Sequence, residues 1–171
     1  MEKWPEVLVV PSEDAFAYGC WVQYSPPPDH EESKGLWVAA RKMSLHGVSA
    51  PTREELRFSC GTQCCLVGWV ALAMDEESAS PHRLRNLATA KFLNHFVKLA
   101  GYPSARKKKG ECESKFIERV ACRASDVFEG ENSCGSELFP ILEGKLTPAR
   151  ARELYIETAK HFGYDVENLY E

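Results

Sequence analysis

Apolar residues recur three and four positions apart along most of the chain after residue 61, and this spacing predicts helices. The first such segment, residues 62–74, is largely apolar and predicts a buried helix with Thr62 as its N-cap. Ser80 and Pro81 have the order of an N-cap and a first helical residue, so they predict the start of a second helix. The glycine and proline of residues 101–103 end it.

The C-terminal part predicts two further helices. Residues 116–121 place apolar side chains on one helical face. Residues 125–142 carry glycines, acids and a proline, and they predict only short turns of helix. The last helix has the clearest limits, because Thr147 and Pro148 have the pattern of a helix start and Gly163 that of a helix end.

The beginning of the chain has a different pattern, with β-prone runs separated by polar connections. Residues 7–10, 20–24 and 36–39 are rich in β-branched and aromatic side chains. Residues 25–35 between the last two runs are polar and rich in proline, which is typical of an exposed connection. The two runs therefore predict a hairpin with a long loop.

These elements predict an α+β protein, predominantly helical, with a small N-terminal antiparallel sheet or hairpin. We expect one globular domain over residues 1–171, with a β- and loop-rich part at 1–43 and a helical part at 44–171. The longest apolar run, residues 64–74, is shorter than the roughly 20 residues of a membrane helix. Residues 1–5 do not begin a secretory signal. A cytoplasmic protein without membrane contact is therefore expected.

Charge is distributed unevenly along the chain, although the net charge is only −4. Residues 82–123 contain eleven Lys or Arg and three Asp or Glu, whereas both flanks are acidic. Within this segment Arg106, Lys107, Lys108 and Lys109 predict an exposed basic loop. Such asymmetry is typical of proteins that bind an acidic partner or a nucleic acid. The alternative is that the acidic flanks pack nearby and largely cancel the field.

The chain has seven cysteines, an odd number without any CxxC pair. We interpret most of them as reduced thiols in the core, where unpaired cysteine is common. Metal ligation by Cys60, Cys65 and a histidine is an alternative, but its spacing matches no common structural zinc site. The sequence therefore predicts neither a metal nor a cofactor.

The most distinctive motif covers residues 60–69, Cys-Gly-Thr-Gln-Cys-Cys-Leu-Val-Gly-Trp. It resembles a C-G-T-x-x-C-[ILV]-x-G-[WH] motif of small, largely uncharacterised proteins of bacteriophages and bacterial genomes. Those proteins often carry a Leu-Phe element followed by a Thr-Pro-capped C-terminal helix, which residues 138–139 and 144–151 match. The resemblance implies a phage context and no particular activity.

The same motif places thiols where a helix stabilises negative charge. Cys64 and Cys65 fall in the first turn of the predicted helix, where unpaired N–H groups and the helix dipole favour a thiolate. In an enzyme, one of these thiols or Cys60 would be the nucleophile, with His82 or His95 as its base. We favour the simpler interpretation that the small side chains of this segment allow close helix packing.

No nucleotide-binding loop, zinc-protease motif or serine-hydrolase motif occurs in the chain. Our leading hypothesis is therefore a non-enzymatic binding protein, phage-encoded, that inhibits a host enzyme or defence system in the host cytoplasm. Arg106–Lys109 is the expected partner-binding region. The alternative is a thiol-dependent hydrolase or transferase, and a third hypothesis is nucleic-acid binding through residues 82–123.

Overall fold

The computed structural model describes residues 2–6, 8, 10, 11, 13–16, 18, 65–74, 76, 81–132, 134, 136, 138 and 141–166. Within these residues the chain forms four α-helices, which are α1 (Leu66–Ala73), α2 (Leu87–Leu99), α3 (Glu113–Glu129) and α4 (Pro148–His161). Two short 3₁₀ turns, Glu13–Ala15 and Pro81–Arg83, precede α1 and α2.

The predicted α+β class is wrong for the described part of the chain, which is 56% helical and contains no strand. Leu8 and Val10, from the first β-prone run, are buried without regular secondary structure. Their side chains join the helical core, because an extended segment buries apolar residues against helices as well as against a sheet. Residues 20–24 and 36–39, which carry the predicted hairpin, lie outside the described residues.

Helix α1 is buried along almost its whole length, as its apolar sequence predicts. Its N-cap is Cys65, whose Sγ accepts a hydrogen bond from the Gly68 backbone N at 3.3 Å. The prediction of Thr62 as the cap of this helix is wrong, because Cys65 has that role and α1 begins at Leu66; Thr62 itself lies outside the described residues. The Trp69 indole donates to the Ala15 carbonyl at 2.8 Å and so joins α1 to the N-terminal segment.

The predicted start of the second helix at Ser80–Pro81 is wrong, since Pro81–Arg83 forms a separate turn and α2 begins only at Leu87. The reason is the buried carboxylate of Glu76, which accepts hydrogen bonds from the backbone N–H groups of residues 85 and 86. It also accepts from the Thr89 hydroxyl at 2.7 Å. These bonds interrupt the helix, and Asn86 then caps α2.

Helix α3 continues to Glu129, so the prediction of short turns from residue 125 is wrong for its first part. The helix ends at Gly130, which adopts a left-handed conformation with φ +70°. The limits of α4 are confirmed, since the Thr147 hydroxyl accepts from the backbone N of residue 150 and Pro148 is the first helical residue.

Helix α3 packs against α2, against α1 and against the 3₁₀ turn Pro81–Arg83, while α2 also contacts α1 and α4. One apolar core connects the four helices to the N-terminal segment, and its largest members include Trp69, Phe92 and Tyr155. In the described part of the chain, no helix combines the length and apolarity that a bilayer crossing requires.

Candidate functional site

The basic loop, residues 106–109, follows a backbone that Asn94 of helix α2 holds in place. The Asn94 side-chain amide donates to the Ala105 carbonyl at 2.8 Å and accepts from the Ala105 N–H at 2.7 Å. Arg123 of helix α3 donates to the Pro103 carbonyl at 2.6 Å. Two helices therefore fix the chain directly before the loop.

A second set of contacts holds the loop itself. The Glu111 carboxylate accepts from the Arg119 Nε and Nη2 at 2.9 and 3.0 Å, and from the Lys108 backbone N at 2.8 Å. Arg119 also donates to the Arg106 carbonyl. The hydrogen bonds from Arg119, followed by that from Lys108, lower the pKa of Glu111 to about 2. We call Glu111 and Arg119 the loop clamp.

All four side chains of the basic loop are exposed, as predicted. Arg106, Lys107 and Lys109 form no ion pair with any residue that the structure describes. The loop thus combines a fixed backbone with cationic side chains that point to solvent.

A thiol cluster lies farther along helix α3. Cys122 of the helix and Cys134 of the segment after it form a disulfide, with their Cα atoms 5.1 Å apart. One ligand atom from each of His82, Cys122 and Cys134 lies within 4.8 Å of the other two. The His82 Nδ1 is 3.0 Å from the Glu118 Oε1, and Glu118 is one helical turn before Cys122. We call His82, Cys122 and Cys134 the thiol cluster.

Asp126, one turn after Cys122, holds the other side of the cluster. Its side chain is fully buried. Its two oxygens accept from the backbone N of Cys134 and of Ser136, each at 2.8 Å. A buried carboxylate is stable only when such donors satisfy it, so Asp126 fixes the position of Cys134 relative to the helix.

The loop clamp and the thiol cluster line the same open pocket, whose volume is about 290 Å³. The other lining residues are mostly charged and include Lys115, Glu118 and Arg123. One face of α3 therefore carries a fixed basic loop, a charged pocket and a pair of cysteines with a histidine.

The structure does not bring the candidate catalytic residues predicted from the sequence together in one site, as far as it describes them. Cys65 is buried, with its thiol turned to the helix backbone, while Cys60 and Cys64 lie outside the described residues. His82 belongs to the thiol cluster. His95 instead stacks on His161, with ring centroids 3.7 Å apart, and burial, followed by the charges of His161 and Lys98, lowers its pKa.

The expectation of reduced core thiols is wrong for Cys122 and Cys134, which form a disulfide, and the sequence did not predict that they belong to a site. Their separation of twelve residues follows no common motif. A weak signal was present in α3, where Glu118, Cys122 and Asp126 recur at intervals of four and so share one helical face. Nothing local connects that face with His82.

No protein-family model, no curated protein and no solved structure matches this chain. We therefore infer the function from the geometry of the α3 face and from the sequence motif.

Proposed function

We propose that this chain is a non-enzymatic binding protein that docks on an acidic surface of a macromolecular partner through the basic loop. The fixed backbone of the loop supports this proposal. A solvated basic tract needs no anchors, whereas Asn94 and the loop clamp hold this one at both ends. A preorganised loop loses less conformational entropy on binding, so more of the electrostatic attraction appears as affinity.

A folded protein suits this surface better than a nucleic acid. The net charge of the chain is −4, and the segments before and after residues 82–123 are acidic. A long polyanion would extend beyond the loop and be repelled by a chain that is acidic overall. An acidic patch of limited size on a folded partner needs to contact only the loop. Local complementarity of this kind also increases the association rate.

The motif at residues 60–69 supports a finer proposal. Its resemblance to small phage proteins favours a phage-encoded protein, and in that context we propose that the partner is a host enzyme or defence system that the chain inhibits in the host cytoplasm.

The test compares two doubly substituted proteins of equal net charge in affinity capture from a lysate of the natural host. Lys107→Glu with Lys109→Glu reverses charge on the loop. Lys98→Glu with Lys160→Glu reverses two exposed lysines in the last turns of α2 and α4. We expect the loop variant to bind the captured protein at least about tenfold more weakly, which corresponds to ~1.4 kcal/mol. The control should bind like the wild type.

A third variant, Glu111→Gln, keeps all four loop cations and weakens the clamp that fixes the loop backbone. It also removes one negative charge beside the loop, which by itself would strengthen binding to an acidic surface, so a loss of affinity reports the loss of the fixed backbone. An intermediate loss of affinity is expected. Equal binding by the loop variant and the wild type would reject the proposal. An equal loss of affinity in both double variants would also reject it, because the binding would then depend on the total charge of the protein and not on the loop. If nuclease treatment abolishes capture, the nucleic-acid hypothesis replaces it.

A further inference from the structure

We propose that the thiol cluster, in its reduced form, binds a zinc ion through His82, Cys122 and Cys134. Imidazole nitrogen and cysteine thiolate are the ligands that Zn²⁺ prefers in proteins. The three ligand atoms already lie within 4.8 Å of one another. In a tetrahedral site with bonds of about 2.0–2.3 Å the ligand atoms are about 3.3–3.8 Å apart, so modest side-chain rotations are sufficient.

Glu118 supplies the support that a histidine ligand needs. Its Oε1 is 3.0 Å from the His82 Nδ1. A carboxylate on one ring nitrogen fixes the orientation and tautomer of the imidazole, and it leaves Nε2 as the nitrogen that ligates the metal. Because Glu118 and Cys122 are four residues apart on α3, the supporting group and a ligand lie on the same helical face.

Asp126 gives the same kind of support to the cysteine outside the helix. Through its hydrogen bonds to the backbone N of Cys134 and of Ser136, it fixes the segment that carries Cys134. The site therefore rests on Glu118, Cys122 and Asp126 from three successive turns of one helix. The two other ligands come from outside the helix, since Cys134 follows α3 in the chain and His82 lies on a 3₁₀ turn that packs against α3.

Three protein ligands leave one tetrahedral position open. The cluster lines the pocket of about 290 Å³, so this position is accessible to water or to a small anion. Zinc sites with three protein ligands and an exposed fourth position are typical of reactive rather than purely structural zinc.

Metal binding and the disulfide exclude one another. A thiol reductant converts the disulfide into two thiols by supplying two electrons and two protons, and is itself oxidised to a disulfide. Zn²⁺ then displaces the two thiol protons, which pass to the buffer, and binds both thiolates. Glutathione disulfide reverses both steps. It oxidises the two zinc-bound thiolates to the protein disulfide and releases free Zn²⁺. The two glutathione thiolates that leave take up two protons from the buffer and become thiols.

The full chain is reduced under anaerobic conditions. It is titrated with Zn²⁺ in competition with a chromophoric chelator, and in a separate experiment with Co²⁺ as a spectroscopic probe. We expect one equivalent of metal, thiolate-to-cobalt charge-transfer absorption and the intense ligand-field bands of a tetrahedral site. His82→Gln and Cys122→Ser should each weaken zinc binding at least about 100-fold, and Glu118→Gln about 10- to 100-fold. Cys112→Ser, at the exposed free cysteine, is the matched control and should bind like the wild type.

His82 is exposed, so His82→Gln should keep the fold, and circular dichroism of each variant verifies this. Unchanged zinc affinity in folded His82→Gln would overturn the proposal, because zinc would then be bound without His82. Absence of stoichiometric binding by the reduced wild type would overturn it as well. Treatment with glutathione disulfide should abolish binding, and full binding by the oxidised protein would be incompatible with thiolate ligands. None of these outcomes depends on partner capture by the basic loop.

Discussion

Gly130 shows how much a single backbone position constrains this fold. It ends α3 with φ +70°, and a Cβ at this position would lie 1.9 Å from the backbone N of Lys145. The close approach belongs to a crossing of two chain segments, where the Leu146 N–H donates to the Phe128 carbonyl at 3.1 Å. Only a residue without a side chain fits there.

We therefore expect Gly130→Ala to destabilise the protein by more than about 3 kcal/mol, since the backbone of residues 144–145 must move away. Gly110→Ala is the control, because Gly110 also has a positive φ, +79°, but has open space around its Cβ position. It should cost only about 1 kcal/mol. Urea unfolding of both variants measures the difference, and equal costs would show that the crossing relaxes freely.

The thiols of Cys65 and Cys112 differ sharply in environment. Cys65 is buried, whereas Cys112 is exposed at the start of α3. The Ser114 hydroxyl, followed by the backbone N of Lys115, lowers the pKa of the Cys112 thiol. We expect iodoacetamide at neutral pH to alkylate Cys112 rapidly and Cys65 only after denaturation, as mass spectrometry of the peptides will show. Rapid alkylation of native Cys65 would revive the thiol-enzyme hypothesis.

At the scale of elements, the contact of α2 with α4 contains a pair of stacked histidines. Burial of His95, together with the nearby charges of His161 and Lys98, lowers its pKa below the ordinary 6.5. Because the folded pKa is the lower one, the unfolded chain binds more protons in this range. The contribution of His95 to stability is present above about pH 6.5 and is lost as the pH falls towards the folded pKa.

Replacing His95 by Gln should therefore flatten the dependence of the unfolding free energy on pH between about pH 7.5 and pH 5. His161→Gln should flatten it partly, because it removes one of the charges that act on His95. Urea titrations at several pH values measure the slope. An unchanged slope in His95→Gln would mean that other groups cause the loss of stability in acid.

The start of a helix can be predicted from the sequence when the residues that determine it lie within a few positions of it. Thr147 and Pro148 act on their own first turn, and the start of α4 was predicted correctly. Pro81 has the same local signal, yet α2 begins at Leu87, because Glu76 binds the intervening backbone. The β-structure predicted for residues 7–10 is wrong at Leu8 and Val10 for a related reason, since burial against helices satisfies the same apolar pattern as a sheet.

At the scale of the whole molecule, the N-terminal segment and the helices share one core. Phe16 lies with its ring centroid 6.2 Å from those of Phe128 in α3 and Tyr155 in α4. The Trp4 ring packs on Phe162, just after α4, at 4.6 Å. A single domain over residues 1–171 stays a prediction. Because of these contacts, the N-terminal segment and the helices should unfold together, which can be measured.

We expect one cooperative unfolding transition, in which tryptophan fluorescence and far-ultraviolet circular dichroism change together in urea. Contacts of the N-terminal segment with α3 and α4 make its independent unfolding costly. Two separate transitions, with fluorescence changing first, would show that the front of the chain is a unit of lower stability. Phe16→Ala should lower both midpoints equally, with a loss of about 3–5 kcal/mol for a buried phenylalanine.

The sequence by itself determined that helices form in the segments of α1, α2, α3 and α4, and it determined the cap of α4 and the exposed basic loop. Each of these depends on side chains and backbone groups only a few residues apart, where spacing and residue type are sufficient. Only the tertiary structure decided the break before α2, the clamp that holds the basic loop and the meeting of His82 with Cys122 and Cys134. These features join residues 8 to 52 positions apart in the sequence. Such contacts form when helices pack, and no local pattern of residues encodes them.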